Sequence, residues 1–296
     1  LNTINNDICS RNGSLIDSLK NGVEFDNGTT LYLYISKPET DFNPKDNENY
    51  KKNILSVMEE VYHKEKERVD LVIFLNGIAL FAFELKCNTT NQNYKDAIFQ
   101  YKDTRDATTR LFLYKKGVIC AFAMDLNEVY FTTKLNGKST HFMPFNKGDN
   151  FGPGNPHNRN GINVSYMWED ILTLENISFI LTHLVFIQHS EEIDSDTGVK
   201  TQKETLIFPR YHQLRAVRNI RADVIENHTD RNYLIEHSAG SGKTNTIAWL
   251  SHVLSQVHDK DNNVIFDTIL IITDRIIVDR QLQDAVLGIK HKLGSV

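Results

Sequence analysis

An Asn76-Gly77 pair between two apolar runs, residues 69–75 and 78–85, constrains this chain more than any other stretch. Asn-Gly favours left-handed backbone at both positions and so the tight turn of a β-hairpin. The hairpin is apolar apart from Asp70 near its start and Glu84 and Lys86 near its end. Burying such charges is costly unless they are paired or hold a metal ion. Two apart on a strand, Glu84 and Lys86 project from one face with Ala82, while Phe81, Phe83 and Leu85 project from the other.

Whether Asp70 joins that face depends on the turn. A two-residue loop pairs Leu75 with Ile78 and, counting outward, Asp70 with Phe83, on the wrong face. A three-residue loop Leu75-Asn76-Gly77, with Gly77 left-handed in a bulge, puts Glu84 diagonal to Asp70 on the same face, about 7–8 Å away. A compensating bulge nearer Asp70 serves as well. One cation then bridges both carboxylates, the arrangement that phosphodiester cleavage needs to activate water and stabilise a leaving oxygen. The competing reading has Asp70 and Lys86 at solvated strand ends, with Glu84 paired to Lys86.

The rest of the chain fits two domains of ordinary size. Its 33 Lys and Arg against 38 Asp and Glu give a net charge of -5, so any contact with nucleic acid depends on a local basic surface. No apolar run approaches a membrane span. Cys9, Cys87 and Cys120 are widely spaced, as in a reducing, cytoplasmic setting, and the absence of an initiator Met and of a leader points to a fragment rather than a secreted protein. A strand is expected over 30–36. Tyr50, Ile54, Leu55, Met58 and Val61 recur at helical spacing over 46–63, although part of that stretch also reads as strand. Tyr94, Ala97, Ile98 and Tyr101 predict a helix over 91–106, and residues 118–124 and 129–133 predict two strands. Residues 134–164, rich in Gly, Pro and Asn, predict a long irregular loop, and 168–189 a helix broken near Thr173.

The polar run 191–198 has nothing to bury and marks a domain boundary. Beyond it come a helix over 211–226, a strand at 233–235, a Gly-rich turn, a helix over 243–257 and a strand at 268–272, the opening of a parallel α/β sheet. In Ala239-Gly240-Ser241-Gly242-Lys243-Thr244 the glycines let backbone N–H groups wrap phosphates at a helix N-terminus. Lys243 reaches the β- and γ-phosphates and Thr244 binds their Mg²⁺. His237 stands where the strict pattern has its first Gly. Upstream, Phe208-Pro209-Arg210-Tyr211-His212-Gln213 looks like the adenine-contacting segment of superfamily 2 motors, with Gln213 at the adenine edge. Its alternative is an ordinary helix start. No acidic Walker B motif follows, so the motor is expected to be incomplete. Histidines such as His63, His141 and His157 lack ligand spacing and are left unassigned.

From 31 onward the chain resembles the restriction (R, motor) subunit of type I restriction-modification enzymes. The resemblance rests on residues 69–77, Glu84-Leu85-Lys86, Ala97 through Gln100-Tyr101-Lys102, Thr104-Arg105-Asp106, Phe142-Met143-Pro144-Phe145-Asn146, Gly152-Pro153-Gly154-Asn155-Pro156, Tyr166-Met167-Trp168-Glu169 and the phosphate loop. It implies a PD-(D/E)xK nuclease-like mixed sheet flanked by helices over 1–192, a linker over 193–203, and the first part of a RecA-like parallel α/β motor domain over 204–296. Carried over by position, it implies Asp70 and Glu84 as Mg²⁺ ligands, Lys86 as the group that orients or activates the attacking water, and Gln100 as an assisting residue. Where some members place a Tyr four positions after that Gln, this chain has Thr104, and core packing is the job expected of Tyr101. Val69 stands where the family name has Pro. The implied activity is Mg²⁺-dependent endonucleolytic cleavage of double-stranded DNA, coupled to ATP-driven translocation and exercised with modification and specificity subunits. A degenerate nuclease fold used for docking and a stand-alone helicase-nuclease of repair or phage defence are the alternatives.

Overall fold

The computed structural model describes residues 2–10, 13–193, 200–274 and 276–289. The chain divides into two compact units, Leu1–Ser36 with Glu48–Leu181 and Lys37–Asn47 with Thr182–Val296. Helices α1 (Asn2–Cys9) and α2 (Leu15–Asn21) open the first unit, followed by a short strand pair, β1 (Val23–Glu24) with β2 (Thr30–Leu31). The strand expected over 30–36 is thus reduced to its first two residues.

The helix expected over 46–63 is corrected. Only α3 (Pro44–Tyr50) is helical, and Leu55–Lys64 forms strand β3. Its neighbour β4 (Glu67–Leu75) buries Val69 and Val72 completely and pairs with β3 along most of its length. Without β3, that edge of β4 would leave backbone N–H and C=O groups unpaired, and Val57, Val61 and Tyr62 suit a pleated surface. The requirement for a sheet partner outweighs the helical spacing.

After β5 (Ile78–Leu85) the chain passes through α4 (Tyr94–Asp103) to β6 (Cys120–Met124), then β7 (Val129–Thr132) and β8 (Met143–Pro144). The sheet order is β3-β4-β5-β6-β7-β8, with β5 and β6 parallel and the other neighbours antiparallel. A parallel pair needs a long crossover, and α4 lies in it. A capping box starts α4: Lys95 N–H donates to the Asn93 side chain, and Asn93 N–H donates to Asp96. Small residues Ala82, Ala121 and Ala123 let Ala97 and Tyr101 of the helix pack onto the sheet. The opposite face carries Phe81, Phe83, Phe122, Phe131 and Phe145 in mutual ring contact, each contributing about 1.5–3 kcal/mol by burial. Residues 134–164 are largely irregular, as expected.

The helix expected over 168–189 is interrupted: a π-turn over Met167–Ile171, α5 (Leu174–Phe179) capped by Thr173, and a second π-turn over Ile180–Leu184. From Phe186 the chain is strand. In the second unit β9 (Phe186–Ile193) and β10 (Lys200–Ile207) pair antiparallel. The described ends of the stretch expected as a linker, Ile193 and residues 200–203, belong to this hairpin, and 194–199 lie outside the described residues. Helices α6 (Tyr211–Asn227) and α7 (Lys243–Ser255) fall where expected, and α7 packs against both α6 and α8 (Ile276–Gly288). Trp249, fully buried on α7, meets Phe186 edge-on.

The strands expected at 233–235 and 268–272 are not formed, and no parallel sheet exists among the described residues of this unit. Leu234, Leu270 and Ile272 are exposed. Parallel strands need hydrogen-bonded neighbours and cover on both faces, which these segments lack here. Among the described residues no helix is long and apolar enough to cross a membrane.

Candidate functional site

The three-residue loop expected at the hairpin tip is not there. Asn76 (φ +51°) and Gly77 (φ +81°) are both left-handed, and Leu75 pairs with Ile78, a two-residue turn. Asn76 pins the turn from its side chain, which donates to Leu33 O and accepts from Ile54 N–H. The compensating bulge is present instead. Phe74 pairs with Ala79 but Ile73 pairs with Phe81, so Leu80 is an extra residue on β5. The pairing then runs to Leu71 with Phe83, and its continuation sets Asp70 directly opposite Glu84 rather than diagonal to it. The two carboxylates share the face on which Ala82 and α4 pack.

Each charge has a different environment. Asp70 Oδ2 accepts from Leu85 N–H at 2.7 Å. Glu84 is fully buried, and Arg105 approaches its Oε1 with Nε at 2.7 Å and Nη2 at 2.6 Å. Glu84 Oε2 is buried with no hydrogen-bond partner. Burial pushes the Glu84 carboxyl up to about 7 against the pull of Arg105, and the charge of Asp70 adds to the rise. Lys86 does not pair with Glu84; its Nζ donates to Gln100 Oε1 at 2.7 Å. Asp70, Glu84, Lys86 and Gln100 are therefore brought together on one face by β4, β5 and α4. Tyr101 is fully buried against Phe112 and Phe142, matching the packing role expected of it, and burial pushes its phenol well above the ordinary range. Among the described residues no group of three or more His, Cys, Asp or Glu could hold a metal ion. A cation here would draw its acidic side-chain ligands from Asp70 and Glu84, and the partnerless Oε2 suits that role.

The second expected site is the turn before α7. Gly240 (φ +72°) and Gly242 (φ +84°) take left-handed backbone, and α7 begins at Lys243. Lys243 Nζ donates to His237 O and Ser238 O, at 2.9 and 2.8 Å, so its ammonium folds back over the loop. Gln213 is not solvated. It is 3% exposed, accepts from Arg210 N–H through Oε1 and donates to Gly242 O through Nε2, both at 2.9 Å. Reading an adenine edge would require it to release these bonds. His212 contacts Ser241 O at 3.1 Å and meets the His237 ring edge-on; burial lowers both imidazoles. Thr244 is half-buried in the first turn of α7. Helix α8 begins at Ile276, and Arg275 just before it lies outside the described residues.

Comparison with known proteins bears on both sites. Residues 2–140 match the family described as Type I restriction enzyme R protein N terminus. This stretch belongs to that R-protein family. Residues 212–293 match the SWI2/SNF2 ATPase family, which takes in Gln213 and the phosphate loop. A relative from Methanocaldococcus jannaschii, named as a candidate type I restriction enzyme MjaIXP endonuclease subunit, is 24% identical over 257 residues, covering 80% of this chain. The chain spans 23% of that relative's length.

Within the R-protein stretch, sequence reasoning gave Arg105 no role although it quoted the residue. The signal was present: a carboxylate on an otherwise apolar strand needs a cation, and Arg105 lies just beyond the helix that covers that strand. The helix end itself aims it, because Arg105 N–H donates to Gln100 O at 3.2 Å. The same Gln100 thus holds Lys86 by its side chain and the Arg105 backbone by its carbonyl.

Proposed function

We propose that this chain is part of a type I restriction R subunit that cleaves double-stranded DNA with Mg²⁺, through a PD-(D/E)xK-type site at Asp70, Glu84 and Lys86. The observation that carries the reading is the juxtaposition of Asp70 and Glu84 across the bulged hairpin with Glu84 Oε2 left partnerless. A buried anionic oxygen without a donor is the kind of atom that a cation satisfies. Bound Mg²⁺ supplies the charge that activates water and stabilises the leaving oxygen. Lys86, steadied by Gln100, presents an ammonium that orients the attacking water and offsets phosphate charge.

In the same reading the backbone N–H groups of Gly240, Ser241 and Gly242 receive ATP phosphates at the α7 N-terminus, with Lys243 on the β- and γ-phosphates and Thr244 on their Mg²⁺. Gln213 turns from Gly242 to the adenine edge. The complete protein then couples ATP hydrolysis by a RecA-like motor to DNA translocation, together with modification and specificity subunits. The R-protein and SWI2/SNF2 matches and the name of the archaeal relative support this assignment.

The test is the complete subunit reconstituted with its partners on unmodified DNA. Asp70→Ala, Glu84→Ala and Lys86→Ala are each expected to abolish cleavage in Mg²⁺ while ATP hydrolysis continues. Undiminished cleavage by the Asp70 and Glu84 variants overturns the reading. That outcome belongs to the alternative of a nuclease fold kept only for docking, which the Arg105 contact to Glu84 favours by partly neutralising the site.

A further inference from the structure

Arg105 occupies a place that the proposed reaction does not use. Its Nη2 lies 2.6 Å from Glu84 Oε1 and also donates to Arg68 O at 2.7 Å, with Nε on the same Glu84 oxygen. Arg68 lies two residues before Asp70 on β4, and Glu84 lies opposite Asp70 on β5. One guanidinium therefore spans the two strands that carry the two carboxylates. Its side chain is 6% exposed, and its backbone is tied to the end of α4 through Gln100 O.

We propose that Arg105 is a positioning residue for this pair: it fixes Glu84 by Oε1 and the flanking strand by Arg68 O, and so leaves Oε2 free for a divalent cation shared with Asp70. The inference rests on the reading of the hairpin as a metal-dependent nuclease site. Two physical effects of Arg105 oppose each other. As a positive charge beside a cation site it weakens binding, whereas as the outer partner that orients a ligand it strengthens binding, commonly by about 10- to 100-fold. The planar guanidinium fixes Nε and Nη2 together on Glu84 Oε1 while Nη2 also reaches Arg68 O; a lysine ammonium keeps the charge but not that fixed geometry.

The sign of one measurement separates these effects. Mn²⁺ affinity is measured by calorimetry on the complete R subunit, and the component lost in Glu84→Ala is taken as the site. Arg105→Met is expected to weaken that component about 10- to 100-fold, and Arg105→Lys to weaken it as well. Equal or tighter binding by Arg105→Met, or full affinity in Arg105→Lys, overturns the positioning role and leaves the metal site standing. If no Glu84-dependent component exists in the parent protein, the metal reading fails, and the role of Arg105 with it. Thermal unfolding confirms that each variant is folded at the assay temperature, and Arg105→Lys decides alone if Arg105→Met is not.

Discussion

Glu84 is a fully buried carboxylate whose partner guanidinium comes from 21 residues further along the chain. Removing Arg105 leaves Glu84 either to carry an uncompensated charge or to take up a proton in a desolvated place, whereas removing both leaves only shape to repair. Arg105→Met is therefore expected to lower stability by about 3–5 kcal/mol. Adding Glu84→Gln should return a large part of that loss, so that the double variant is more stable than Arg105→Met alone. Urea unfolding of the four proteins in metal-free buffer checks this, and additive single effects would deny the coupling. Lys86 offers a contrast. Its partner is the neutral Gln100 Oε1, so its loss strands no buried ion and should cost little stability while abolishing cleavage.

At the scale of elements, the site depends on one extra residue in β5. Leu80 has no opposite number on β4, and this puts Ala79 on the same face as Ala82 and Glu84 although its number is odd and theirs are even. An alanine inserted between Phe83 and Glu84 should turn Glu84 and Lys86 toward Phe122 and the aromatic face, with loss of cleavage. An alanine inserted after Gly77 only lengthens the loop and leaves the pairs beyond it in register. It should keep cleavage at a cost of about 1–2 kcal/mol. Cleavage that survived the first insertion would refute the register argument. The sequence made the hairpin, α4 and the phosphate-loop helix legible, because Asn-Gly, helical apolar spacing and paired glycines are local signals. Parity arithmetic also required a bulge somewhere. Its position was not legible, since Leu80 looks like any other strand leucine. The register of β3 was hidden too: the spacing of Leu55, Met58 and Val61 satisfies a helix, and only the open edge of β4 decides for strand. The apolar runs 233–235 and 268–272 read as strands for sound reasons, but a strand exists only where a neighbour receives its hydrogen bonds.

The whole molecule divides by contact differently from its division by composition. Residues 37–47 precede the six-stranded sheet in the chain yet belong to the second unit, and no composition signal could have assigned them there. Within that unit Glu39 ties the segment in place: its carboxylate meets His183 Nε2 at 3.0 Å and Arg221 Nη2 at 2.6 Å, so the segment is held to α6 and to the chain entering β9. Burial alone would raise the Glu39 carboxyl, but the hydrogen bond and charge of His183, joined by Arg221, outweigh it and hold the group at about 2, below its ordinary 4.5. A carboxylate depressed by folding stabilises the native state above its unfolded value. That stabilisation, of order 3 kcal/mol, is fully present at neutral pH and disappears as pH falls from about 4.5 through 2. Glu39→Gln should therefore destabilise the second unit at pH 7, and its deficit against the parent should shrink toward zero at pH 2. The sequence has two tryptophans, and Trp249 is buried in the second unit. Fluorescence-monitored urea unfolding in a Trp168→Phe background thus follows that unit alone, and a deficit that stayed constant from pH 7 to pH 2 would show that Glu39 packs there without carrying its charge.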